Sequence, residues 1–137
     1  MLVAFVLDSS VTMAWIFPDE ASVSTDLLRE SLVEDSAFVP ALWPVETGNV
    51  LLMATRRGRI AKDDWQQIRE NLKALPINID PVSTDRVWGA VLDLADTHRI
   101  SAYDAMYLEL ALRLRLPLAT LDRELAAAAR ASGVEAP

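Results

Sequence analysis

The sequence predicts an α/β domain: a short parallel sheet of about four or five strands flanked by about seven helices. Three observations predict it. Short apolar runs alternate with longer segments of helical period. The first run, residues 3–7, is apolar throughout, as suits an interior parallel strand covered on both faces. The 137 residues suffice for one core, and no repeat, linker or low-complexity tract divides them, so residues 1–137 read as a single domain.

The elements follow in order. After the strand at 3–7, Ser9 or Ser10 caps a short helix, 11–17, stopped by Pro18. A helix at about 21–33 carries Val23, Leu27, Leu28 and Leu32 on one face, with Arg29 and Glu30 outside. Residues 37–40 form a second strand. Pro44 opens a helix that Gly58 ends. Residues 63–75 place Trp65, Ile68, Leu72 and Leu75 at helical spacing. Residues 77–79 form a third strand, and Ser83 or Thr84 opens a helix to His98. Ser101 opens the helix "ISAYDAMYLELALRLR", residues 118–121 form a fourth strand, and an Ala-rich helix occupies 123–131.

Composition narrows the function. There is no cysteine, which excludes thiolate zinc sites, disulfides and a cysteine nucleophile. The four glycines form no phosphate-cradling loop, and no GxSxG elbow occurs. No stretch is long enough to span a bilayer. The apolar start stops at Asp8 without the basic lead of a signal peptide, so the expected location is the cytoplasm. Twenty acids against 13 bases, net −7, suit neither a nucleic-acid coat nor strong nonspecific RNA binding. They suit solubility, or acids gathered around a cation.

Four acids stand out, each with an ordinary structural alternative. Asp104 has capping-box spacing from Ser101 and favours the helix dipole. At ~100° per residue, however, Leu108 and Ala111 lie within ~40° of it, while Glu109 and Arg113 lie ~140–180° away on the expected solvent face. Asp104 therefore tops the buried seam. Glu46 repeats the pattern above Val50 and Met53, with Asn49 close to the same face. Asp8 and Asp122 end the first and fourth strands, where either is also a natural helix cap. In a parallel sheet, groups that follow strands meet at the carboxyl edge, where ligands bind. Asp93 and Asp96 read as solvated, Asp63 and Asp64 as first-turn acids, and Asp85 as a bystander.

Clustered carboxylates raise one another's pKa unless a cation sits among them. Hard oxygen donors select Mg²⁺ or Mn²⁺ over zinc, and His98 reads as a helix end rather than a ligand. Ser9, Ser10 and Thr120 adjoin two of the acids; Ser10 and Thr120 suit either carboxylate orientation or ordinary capping and packing. Such a site handles phosphate without a protein nucleophile.

The segments "FVLDSSV", "PVETGNVL", "ISAYDAMYLELA" and "LATLDREL" resemble the PIN domain, and more narrowly the VapC toxins of type II toxin–antitoxin pairs. The resemblance covers nearly the whole chain in order. It implies a metal-dependent endoribonuclease with Asp8, Glu46, Asp104 and Asp122 as catalytic and metal-binding acids, supported by Ser10, Asn49 and Thr120. It also implies Mg²⁺ or Mn²⁺, a 5′-phosphate product, a homodimer and a blocking VapB-type antitoxin. Arg56, Arg57 and Arg59 form the best basic cluster for an RNA backbone, with Arg113 and Arg115 another; a solvated helix end is the plainer reading of each. Trp15 and Trp43 suit base stacking or, more commonly, packing. The segments "VTMAWIF" and "ASVSTDLLRESLV" suit a groove for an antitoxin helix. Two other classes stay open: a catalytically silent PIN-like module, and a metal phosphatase, whose dehalogenase-like form needs an acid where this chain has Ser10.

Overall fold

The structure is a computed structural model and describes residues 4–137. The expected strand start at residue 3 lies outside the described residues. Four strands, β1 (Ala4–Leu7), β2 (Ser36–Pro40), β3 (Ile77–Asp80) and β4 (Leu118–Ala119), form one parallel sheet in the order β3-β2-β1-β4. The chain builds outward from β1 through β2 to β3, then crosses back to lay β4 on the other side of β1. That reversal opens a crevice at the carboxyl ends of β1 and β4.

The helices are α1 (Ser9–Ile16), α2 (Val23–Ser31), α3 (Trp43–Arg56), α4 (Trp65–Lys73), α5 (Thr84–Arg86), α6 (Leu92–His98), α7 (Ala102–Leu114) and α8 (Arg123–Ala131). A π-helical segment, Val87–Val91, joins α5 and α6 into one rod, so seven helical rods surround the sheet. Helix α7 packs against β1, β2 and β4. It shares the core with Phe5, Leu7, Val39, Leu118 and Leu125.

Local chemistry sets most boundaries. Ser22 and Thr25 form a reciprocal capping box at α2, and Ser83 and Ser101 cap α5 and α7. Gly58 adopts φ +73 just after α3, the left-handed stop its position suggests. Helix α8 spans the expected residues.

Several expectations are corrected. Ser9 and Ser10 lie inside α1, whose N-cap is Asp8. Val23 and Leu27 are 78% and 59% exposed, because α2 is a short surface helix that buries only its Leu28 and Leu32 side. Residues 62–64 make a 3-10 turn before α4, closed by Asp64 accepting from the Ala61 amide (2.8 Å). The fourth strand keeps only Leu118 and Ala119. Thr120 and Leu121 leave the ladder because their polar groups bond across the crevice instead. His98 ends α6 and pairs its Nε2 with the Ser132 hydroxyl at 3.0 Å.

The largest correction concerns the supposed solvent face of α7. Glu109 is only 8% exposed. Arg113 donates to it at 2.8 Å and to Asp80 at 2.6 Å, while Arg86 lies 3.7 Å from Glu109 and 3.8 Å from Asp80. The middle of helix α7 is thus covered on this side as well, and two guanidiniums roof the carboxylate. Arg113→Met should lower stability by about 2 kcal/mol, less than a fully buried pair because Arg86 remains. Arg113→Met/Glu109→Leu should recover part of that loss, as read from urea midpoints.

Candidate active site

The site is built where β1 and β4 end side by side. The Asp8 amide donates to the Ala119 carbonyl at 3.0 Å, which continues the ladder one step past β1. The Asp8 side chain, 4% exposed, then enters the crevice. Its Oδ2 accepts from the Ser10 hydroxyl at 2.6 Å and the Thr120 hydroxyl at 2.8 Å. Each hydroxyl spends its single proton on Asp8 and uses a lone pair on the turn after β4. Ser10 accepts from the Leu121 amide at 2.9 Å, and Thr120 accepts from the Asp122 amide at 3.0 Å. Two loops far apart in sequence are thereby tied to one carboxylate oxygen.

Asp122 keeps its structural role as the N-cap of α8: its Oδ1 accepts from the Glu124 and Leu125 amides at 2.9 and 3.1 Å. Asp104 sits in the first turn of α7, where the Ser101 hydroxyl accepts from its backbone amide at 3.0 Å. Glu46, in the first turn of α3, is half-buried, and its Oε1 accepts a short hydrogen bond from the Tyr107 hydroxyl.

Electrostatics ties these acids together. Burial pushes the Asp8 carboxyl above the usual range, opposed by the two hydroxyls. Burial also raises Glu46; the Tyr107 hydroxyl opposes this, and the charges of Asp8 and Asp104 add to it. Asp104 is raised by burial, then by the charges of Asp8 and Asp122. Each of the four acids therefore feels or exerts the field of another. None of them joins an ion pair among the described residues; the ion-paired arginines there, Arg59, Arg86 and Arg113, serve Asp19, Glu20, Asp80 and Glu109. Among the described residues, no three His, Asp or Glu side chains already stand close enough to hold one metal ion. The donor chemistry suits a hard divalent cation, and the acids would have to draw in around it.

Other expectations separate here. Asn49 is exposed and makes no side-chain hydrogen bond among the described residues, so it stays outside the Asp8 network. Arg59 is spent: it lies 2.7 Å from Asp19 and 2.9 Å from Glu20, and it stacks 3.8 Å over the Phe17 ring. Arg56 and Arg57 remain exposed at the far end of α3. Trp15 donates to the Thr25 carbonyl and Trp43 to the Thr12 hydroxyl, at 2.8 and 2.9 Å, so both indoles serve packing. Asp63, Asp64, Asp85, Asp93 and Asp96 are exposed.

A groove of about 510 Å³ is lined by none of the four acids; Trp43, Leu51, Trp65, Leu72, Leu75 and Ile77 line it between α3, α4 and β3. Where α1 and α2 meet α4, a smaller cleft of about 70 Å³ is lined by Trp15, Ile16, Arg29, Ile68 and Leu72. Sequence reasoning missed Tyr107. The available signal was a polar-tipped aromatic three residues after Asp104 on the same buried seam.

A family model described as the PIN domain matches residues 5–131. The chain is 34% identical over 111 residues to Ribonuclease VapC1 of Mycobacterium tuberculosis, covering 77% of each chain. It is 31% identical over 125 residues to Ribonuclease VapC3 of Pyrobaculum aerophilum, covering 88% of this chain and 91% of that one. Its fold is similar to a crystal structure of a Pyrobaculum aerophilum protein, with TM-score 0.72, 25% identity and coverage of 98% and 83%. It is also similar to a toxin–antitoxin complex from Klebsiella pneumoniae, with TM-score 0.64, 18% identity and coverage of 90% of each chain.

The raised carboxyls dictate a pH response. Between their folded values and the ordinary value of roughly 4, the folded chain holds protons that the unfolded chain releases. In EDTA, lowering the pH from neutrality toward that ordinary value should therefore raise the urea midpoint. Asp104→Asn should raise the midpoint at pH 7 and flatten its pH dependence. A midpoint that falls steadily over that interval would contradict the buried repulsion.

Proposed function

The chain belongs to the PIN domain family, and from that premise we propose that it is a VapC-type endoribonuclease toxin that hydrolyses RNA phosphodiester bonds with Mg²⁺ or Mn²⁺. One observation supports the reading: the charges of Asp8 and Asp104 bear on Glu46, those of Asp8 and Asp122 bear on Asp104, and none of the four has a protein cation paired to it among the described residues. The ribonuclease names of the relatives support the substrate class.

The residues fit this chemistry. All four donors are hard oxygens, the chain has no cysteine, and its single histidine is engaged with Ser132. When bound, the metal supplies the charge that acidifies a water and steadies the leaving oxygen of an in-line displacement. The protein's part is orientation. Ser10 and Thr120 hold one Asp8 oxygen, and the other, which accepts no side-chain hydrogen bond among the described residues, would be the donor to the metal. Asp104 is half-buried, and burial followed by the charges of Asp8 and Asp122 makes its ionised form costly until a cation offsets it. Arg56 and Arg57 lie about ten residues beyond Glu46 on α3, roughly 15 Å away. In this reading they would meet backbone phosphates of a strand running along that helix, not the reacting phosphate.

The partners follow the same reading. A VapB-type antitoxin would lay an apolar helix face into the groove between α3, α4 and β3, whose lining is mainly apolar. A homodimer and a cytoplasmic location belong to the proposal as well. Among the described residues, no helix is long and apolar enough to cross a membrane.

The test pairs substrates with controls. Purified protein should cleave structured RNA in Mg²⁺ or Mn²⁺ and leave a small phosphoester intact. EDTA should abolish cleavage. Asp104→Asn should slow it on the order of 100-fold, the loss expected from removing about 3 kcal/mol of transition-state stabilisation. Metal binding without RNA turnover would reject the nuclease reading in favour of a silent interaction module.

A further inference from the structure

We propose that Tyr107 is a positioning residue: its buried hydroxyl clamps one oxygen of Glu46 so that the other is presented to the crevice. The inference rests on the metal-dependent reading above.

Tyr107 is fully buried, one turn after Asp104 on the seam of α7 that faces the sheet. Its ring fills the core between α7 and its neighbours, and a phenylalanine would fill that space equally well. The hydroxyl is the part that needs another explanation, and it crosses from α7 to α3 to meet Glu46 Oε1. A phenol has one proton to give, so it occupies one carboxylate oxygen and leaves the second free.

Glu46 needs such a hold. It is the longest of the four acids, and the charges of Asp8 and Asp104 repel it. Left alone, a half-buried glutamate swings toward solvent and away from like charge. Asp8 is fixed by two hydroxyls and Asp122 by two amides. Among the described residues, the only side-chain hydrogen bond to the Glu46 carboxylate comes from Tyr107. A phenol keeps its proton at neutral pH, so Tyr107 is available to donate. Groups that orient metal ligands in this way typically set metal affinity by 10- to 100-fold.

The experiment measures metal binding directly. Free Mn²⁺ is followed by its paramagnetic resonance signal with the wild-type protein, Tyr107→Phe, Glu46→Gln and the double variant, with urea midpoints recorded alongside. Tyr107→Phe should weaken Mn²⁺ binding about 10-fold. In the Glu46→Gln background the same change should add nothing, because no carboxylate remains to be held. Unchanged affinity in Tyr107→Phe overturns the proposal, as does an equal loss in both backgrounds. Should Tyr107→Phe fail to fold, the wild-type phenolic proton serves instead. It should appear as a slowly exchanging downfield resonance that moves in Glu46→Gln and on Mg²⁺ titration, and indifference to Mg²⁺ overturns the proposal. A wild-type protein that binds no Mn²⁺ rejects the metal site itself, a different failure from an intact site indifferent to Tyr107.

Discussion

The hydrogen bonds that two hydroxyls donate to a single oxygen of Asp8 are the constraint on which the site depends. They exist because β1 lies between β2 and β4, so that residues 8 and 120, separated by most of the chain, end adjacent strands. The same hydroxyls accept from the Leu121 and Asp122 amides. The start of α1, the end of β4 and the start of α8 are therefore positioned by one carboxylate. In that arrangement β4 stops after two residues, since the next polar groups serve the crevice rather than the ladder.

Around this fixed point the remaining acids are arranged against the preference of an isolated domain. Desolvation and then repulsion by neighbouring carboxylates make the ionised forms of Glu46 and Asp104 costly, while Asp122 caps α8. Elsewhere the molecule handles charge conventionally. Glu109, as buried as any charged group outside the site, sits under Arg86 and Arg113; Arg59 closes on Asp19 and Glu20. Among the described residues, the buried acid outside the site, Glu109, is thus neutralised by guanidiniums, while the crevice acids have none paired to them. That contrast points to function more firmly than the count of acids does.

Much of this was legible in the residues. An uninterrupted apolar run implied an interior strand, and helical angles placed Asp104 on the buried seam of α7 even though Ser101 offered it a capping role. The same angles failed for Glu109, because they divide a helix into a dry face and a wet one, whereas α7 is covered on both. Only the third dimension reveals that β3 and the α5–α6 rod bring Asp80 and Arg86 to that side. Tyr107 was missed because an aromatic at a core position satisfies the hydrophobic pattern by itself, and the pattern does not say where its hydroxyl points. Arg59 looked like part of a basic patch because Asp19 and Glu20 lie 40 residues earlier in sequence. The Val87–Val91 segment left no mark, since a π turn needs only one residue more than an α-helical pattern.

The two margins of the sheet differ in a way that bears on the molecule's life as a nascent product. Beyond β4, the Leu118 amide is taken by the Glu135 carbonyl, so the C-terminal tail seals that side. Beyond β3 the margin is open, and Ile79 is 54% exposed there. An open margin is a template onto which a stray chain can add a strand and seed aggregation. Here the template is short: Pro76 precedes the four residues of β3 and Pro81 follows them, so the reachable ladder ends almost as soon as it begins. The prolines act as gatekeepers, guarding against amyloid-like stacking at the one margin that the tail leaves bare.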